Sequence, residues 1–171
     1  MRVFFQYVCL VAIFGIPDSS AFARPVEDWK FERLFKEADL VVLAEALEYK
    51  DVDDQPVDNL LKKNCQAQNT SFAIARVIQG AVTADKITLL HFRLIEGVDG
   101  IDNGPLLVTF RTESAEFLIE GTTTQLGKPT YLLFLKKRKD GRYEPVSGQV
   151  DSKLSVREMY IPPDKQKSKR Q

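Results

Sequence analysis

The chain has 171 residues, with 24 basic and 24 acidic side chains, one histidine and two cysteines. That length suits one domain able to bury a core of its own. The balanced charge leaves no global field to draw the chain onto nucleic acid or an anionic membrane. With so few cysteines and a single histidine, neither a disulfide scaffold nor a cysteine- and histidine-rich zinc site is expected.

Residues 1–23 read as a cleavable export signal. Arg2 supplies the positive start, residues 3–16 form an apolar core, Pro17 breaks it, and Ala21-Phe22-Ala23 offers small residues at the cleavage positions. The apolar run falls short of the about 20 residues a spanning helix needs, so an uncleaved anchor is the weaker alternative. The working chain then begins near Arg24, outside the cytoplasm, in the periplasm or beyond. It keeps only Cys65, so no intrachain disulfide is expected and stability must rest on packing. No later segment is long and apolar enough for a membrane span.

Residues 24–37 are expected to hold an amphipathic helix: Phe31, Leu34, Phe35 and Ala38 fall at i, i+3, i+4 and i+7, with Asp28 as N-cap and Glu32 in the first turn. The stretch 39–50 fits both a buried strand and a continued helix. The Ala38-Asp39 boundary before Val41-Val42 favours the strand. Residues 51–69 read as a polar loop with a helical turn near 59–63. Strands follow at 70–79, 86–95 and 106–111, and 115–120 is expected to pair back on the last of these. Residues 121–129 read as loop. Tyr131-Leu132-Leu133-Phe134-Leu135 is a buried strand that turns at Asp140-Gly141, a pair suited to positive φ, and returns over 143–147. Ser155-Val156-Arg157-Glu158 matches a capping box, so a short C-terminal helix is expected, stopped by Pro162-Pro163. Residues 162–171 form a basic tail without apolar residues.

Few helical segments separate these strands, which excludes a βαβ architecture. The expected fold is mainly β: a small OB-like, Greek-key barrel over residues 38–161, with an N-terminal amphipathic helix and a short C-terminal helix.

Three blocks carry a family likeness. They are Ala38-Asp39-Leu40-Val41-Val42-Leu43-Ala44-Glu45, Phe72-Ala73-Ile74-Ala75-Arg76-Val77-Ile78-Gln79-Gly80, and Tyr131-Leu132-Leu133-Phe134-Leu135 with the run Asp140 to Gln149. Across residues 38–150 the chain resembles bacterial exported proteins whose barrel is like that of the tissue inhibitors of metalloproteinases (netrin-like). The resemblance implies the fold and assigns no activity. Those inhibitors present an N-terminal cysteine to a protease zinc. A chain beginning Arg24-Pro25 has none, so no inhibitor residue carries over.

Chemistry-bearing residues are sparse. His91 alternates with Leu90 and Phe92, the pattern of a half-exposed strand histidine sharing a face with Arg93. Ser147, in Pro-Val-Ser-Gly-Gln, lacks the first glycine of a nucleophile elbow. Lys62 and Lys63 beside Cys65 would somewhat acidify an exposed thiol, but an inert loop or semi-buried cysteine is the favoured reading. Asp51, Asp53, Asp54 and Asp58 cluster, but Pro56 and Lys62 stand where a calcium loop needs glycine and glutamate. Residues 97–104 resemble a calcium-binding nonapeptide that works only in tandem. The run Lys136, Lys137, Arg138 and Lys139 flanks the tight turn and reads as a solvated hairpin end. No catalytic, metal or cofactor-binding set is expected. The residues point to an exported, non-catalytic binding module whose partner is a protein or cell-envelope component and not nucleic acid. The alternatives are a proteinase-inhibitor-like module acting through a barrel-rim loop, and a hydrolase built on paired carboxylates in an acidic cleft.

Overall fold

The computed structural model describes residues 24–98, 104–114, 116–119, 122–125 and 127–159. The expected export signal (1–23), the basic tail (162–171) and residues 99–103 of the glycine-rich loop lie outside them.

Helix α1 (Phe31–Glu37) starts later than the sequence pattern implies. Lys30, with no side-chain cap, holds the N-cap position expected for Asp28. The preceding residues are held by side chains instead: Arg33 pairs with Glu27 at 2.9 Å and its guanidinium stacks on the Trp29 ring at 3.8 Å. The helix ends at Glu37 because Ala38 turns extended (φ −80°, ψ 132°). Gln79 then donates its side-chain amide to the carbonyls of Phe35 (2.8 Å) and Ala38 (3.0 Å), satisfying helix-end acceptors. The ambiguous stretch is therefore strand β1 (Leu40–Asp51).

A short helix, α2 (Asn59–Lys62), is capped by the Asp58 carboxylate, which accepts from the Leu60 amide at 2.8 Å. Strand β2 (Cys65–Gln79) begins earlier than the polar composition implied and pairs antiparallel with β1 and with β3 (Lys86–Leu94). Strands β4 (Glu116–Ile119) and β5 (Thr122–Gln125) form a separate hairpin. Strand β6 (Thr130–Lys137) pairs along one edge with β1. Its other edge takes β7 (Tyr143–Pro145) and β8 (Val156–Met159) in succession. A parallel contact, Leu89 opposite Tyr143, joins β3 to β7 and closes a five-strand barrel in the order β1-β2-β3-β7-β6-β1.

Several local expectations fail, among them the loop expected over 121–129, which holds β5. Residues 106–111 form no strand, and 116–119 pairs with 122–125 instead. The 106–111 backbone bonds elsewhere: Val108 N–H donates to Ser152 Oγ at 3.0 Å, and Leu106 carbonyl accepts from Lys153 N–H at 3.0 Å. Val108 and Phe110 then turn into the barrel as a plug. The C-terminal helix is also absent. Ser155 Oγ accepts from the Ser147 amide at 2.7 Å, so it caps nothing, and the next four residues are β8, after one 3-10 turn (Ser152–Ser155). At the β6–β7 turn, Gly141 N–H bonds to Arg138 carbonyl at 3.2 Å and Arg138 N–H to Arg142 carbonyl at 2.8 Å. The loop thus has three residues, 139–141, with Gly141 at φ +87° in the left-handed position that follows a type I turn.

The barrel interior is apolar, with Leu40, Val42, Phe72, Leu89, Leu133 and Leu135 around a set of edge-on rings. Phe110 packs on Phe72 at 4.8 Å and on Tyr131 at 5.0 Å between centroids. The outer faces are covered too. Helix α1 lays Leu34 against Val41 and Phe134, while α2 lays Leu61 over Cys65, Ala67, Leu90 and Phe92. Strands buried on both sides explain why their sequences read as continuous apolar runs.

Candidate functional site

An open groove of about 680 Å³ lies on the surface of the described residues. Its floor is apolar: Leu90 and Phe92 from the outer face of β3, and Leu61 from α2. One wall is the β1–β2 connection, residues 54–59, and the other is the turn after β7, residues 147–150. Val57 stands at the rim almost fully exposed, at 97%. Such a combination, an apolar base under a few fixed polar groups, is the usual make-up of a ligand site.

The polar lining is fixed by ion pairs. Arg142 of the hairpin grips Asp54 through two bonds of 2.8 Å, bonds Asn69 Oδ1 at 3.0 Å, and reaches Asp140 at 2.6 and 3.0 Å. All five guanidinium N–H donors are thereby used. The guanidinium beside them holds the Asp54 carboxyl below the usual carboxylate range and takes Asp140 down to about 2. Arg138 donates to Glu144 at 2.7 Å. With Asp58 capping α2, each of the three carboxylates lining the groove already has a donor. They outnumber the one lining cation, Arg138. Gln149 donates to the Leu90 carbonyl at 3.0 Å, which leaves its buried Oε1 without a protein partner among the described residues.

The groove gathers several residues singled out by sequence, in roles other than those expected. Asp54 and Asp58 are ion-pair and cap residues, and Asp51, away at the barrel mouth, pairs with Arg93 at 2.5 Å. No group of three or more His, Cys, Asp or Glu among the described residues is placed to hold a metal ion. Ser147 lines the groove, but its hydroxyl donates to the Asp151 carbonyl at 2.7 Å and lies 2.7 Å from Ser155 Oγ. The basic run is largely spent internally: Lys136 pairs with Glu37 at 3.6 Å and Arg138 with Glu144. Cys65 follows the favoured inert reading and not the acidified one. It sits buried on β2 under α2, and burial pushes its pKa up.

His91 departs most from expectation. Alternation does set it opposite Leu90 and Phe92, but that opposite face is the barrel interior, and the ring is 1% exposed. Nε2 lies 2.8 Å from Thr70 Oγ1, and the ring meets Phe110 edge-on at 5.0 Å. Burial drives its pKa down to about 4, against an upward pull from the Phe92 backbone. The imidazole is therefore neutral at neutral pH.

Sequence reasoning does not assemble the groove or find Gln149 in it, because residues 54–59 and 147–150 meet only in the folded barrel. It also misses Arg24, which donates to both Asp151 oxygens (2.6 and 2.8 Å) and to the Gly104 carbonyl at 3.2 Å. Compared with protein-family models, curated proteins and solved structures, the chain matches none.

Proposed function

We propose that the protein is an exported, non-catalytic binding module with an OB-type barrel, and that its groove holds a segment of a partner protein. The observation carrying this reading is the apolar floor of Leu61, Leu90 and Phe92 beneath a rim of carboxylates that are already engaged. The strand order and parallel closure fit the OB pattern, and the groove lies on the outer face of β3 beside the β1–β2 loop, near the surface where such barrels take ligands.

The charge of the lining selects among partners. Three carboxylates against one guanidinium repel a phosphate backbone, which disfavours nucleic acid. The same acids favour a segment that brings apolar side chains flanked by lysine or arginine. Hydrolysis by paired carboxylates needs one acid held protonated near neutral pH, and Asp54, shifted the opposite way, does not fill that place. Export rests on the sequence signal of residues 1–23 alone.

Selection of displayed random peptides on the immobilised protein tests the reading. Enriched peptides should combine apolar and basic residues, and they should lose at least about tenfold in affinity against Val57→Lys with Asn59→Trp, which crowds the groove mouth and opposes basic side chains. Peptides that bind that variant equally well, or a selection that enriches nothing, would remove the groove as the binding site.

A further inference from the structure

A second cavity, of about 600 Å³, opens on the other face of the same end of β3, at the mouth of the barrel. Tyr49 and Asp51 end β1, Gln68 lies near the start of β2, and Arg93 lies near the end of β3; the Thr109-Phe110 stretch of the plug forms the remaining wall. Its polar groups are locked to one another. Arg93 Nη2 donates to Asp51 Oδ2 at 2.5 Å, Arg93 Nε to Asp51 Oδ1 at 3.2 Å, and Gln68 Nε2 to the same Oδ1 at 3.1 Å. Arg93 Nη1 donates to the Leu94 carbonyl at 3.1 Å. Gln68 is only 8% exposed and anchors the set at the barrel wall, while the Arg93 and Asp51 side chains reach solvent at 35% and 44%. Tyr49, by contrast, is 59% exposed, a large ring left bare beside it.

We infer that this mouth is a binding site for a neutral sugar, separate from the groove and independent of what the groove holds. The guanidinium has five N–H donors and three are engaged among the described residues, so within that set two stay available beside Gln68 Oε1, which has no partner there, and the hydroxyls of Thr109 and Tyr49. Donors and acceptors set side by side match a vicinal diol, in which each hydroxyl gives one hydrogen bond and accepts another. The Asp51–Arg93 pair cancels its own charge. A phosphate or carboxylate ligand meets Asp51 and Glu96, and a cation meets Arg93. A neutral polyol is opposed by neither. The exposed face of Tyr49 supplies the apolar contact that a sugar ring needs for its C–H side.

The test is an NMR titration of the 15N-labelled protein with glucose, galactose, N-acetylglucosamine and their disaccharides, with inorganic phosphate as the counter-probe. At least one sugar should move the signals of Tyr49, Gln68 and Arg93 with a dissociation constant of order 1 mM. Tyr49→Ala, at an exposed position, should weaken that binding about tenfold or more while leaving the rest of the spectrum in place. Tyr49→Phe should cost less, because it keeps the ring. The inference is overturned if no sugar moves these signals by about 10 mM. It is equally overturned if binding survives Tyr49→Ala unchanged, or if phosphate moves the same signals as strongly.

Discussion

Both terminal nitrogens of Arg142 bond both carboxylate oxygens of Asp54, each at 2.8 Å, tying the β6–β7 hairpin to the loop between β1 and β2. The residues lie 88 apart in the chain, and their side chains are 21% and 27% exposed. This fork is the strap that sets one wall of the groove.

Arg142→Lys keeps the charge but cannot make the two-pronged contact or reach Asn69 and Asp140 together. It should cost about 1–2 kcal/mol in urea unfolding and raise hydrogen exchange in residues 52–58. A double-mutant cycle with Asp54→Asn should return a coupling of about 1 kcal/mol. Zero coupling would mean that the loop is held by α2 packing alone.

Gly80 ends β2 with φ +85°, and a Cβ there would press directly against the carbonyl oxygen of Asp39. Gly141 has φ +87°, but a Cβ there would meet open space. Gly141→Ala should therefore cost only the left-handed strain, about 1–2 kcal/mol. Gly80→Ala should cost clearly more, about 3 kcal/mol or above, because backbone must also move. Equal losses in thermal or urea unfolding would contradict the close approach of β2 to the start of β1.

How far the sequence reveals this architecture depends on whether a signal is local. The β6–β7 hairpin is legible because an apolar run and Asp140-Gly141 stand side by side, and α2 is legible from Asp58 and the apolar pair after it. His91 is placed on the right side of its strand, yet its exposure is misjudged, since nothing local says that α2 will cover the other side. Ser155 illustrates the converse: its capping pattern is local, but Ser147 claims its oxygen first. The groove and the barrel mouth are built from residues brought together by closure between β3 and β7, a contact with no local pattern.

Cys65 should behave as a core residue. Its pKa is raised by burial alone, and exposed Lys62 and Lys63 do not offset this. A thiol reagent should modify the native protein slowly, at a rate that follows unfolding, and the denatured chain at once. Cys65→Ser should cost about 1–2 kcal/mol for burying a hydroxyl, more than Cys65→Ala. Rapid modification without loss of structure would place the thiol outside the α2 cover.

His91 should govern the first phase of acid unfolding. Its folded pKa, about 4, lies below the ordinary value of 6.5, so the folded protein refuses a proton that the unfolded chain accepts. Its contribution is therefore intact above pH 6.5 and falls as pH drops from there to about 4, by up to about 3 kcal/mol. A second phase follows below the ordinary carboxylate range, where Asp51, Asp54 and Asp151, all lowered by their arginine partners, lose their pairs on protonation. His91→Gln carries no titrating ring and can still hydrogen-bond Thr70. It should flatten the first phase and leave the second, as measured by urea unfolding at a series of pH values. If the variant keeps the wild-type slope between pH 6.5 and 4, the early acid loss comes from other groups and the imidazole is not held neutral inside the barrel.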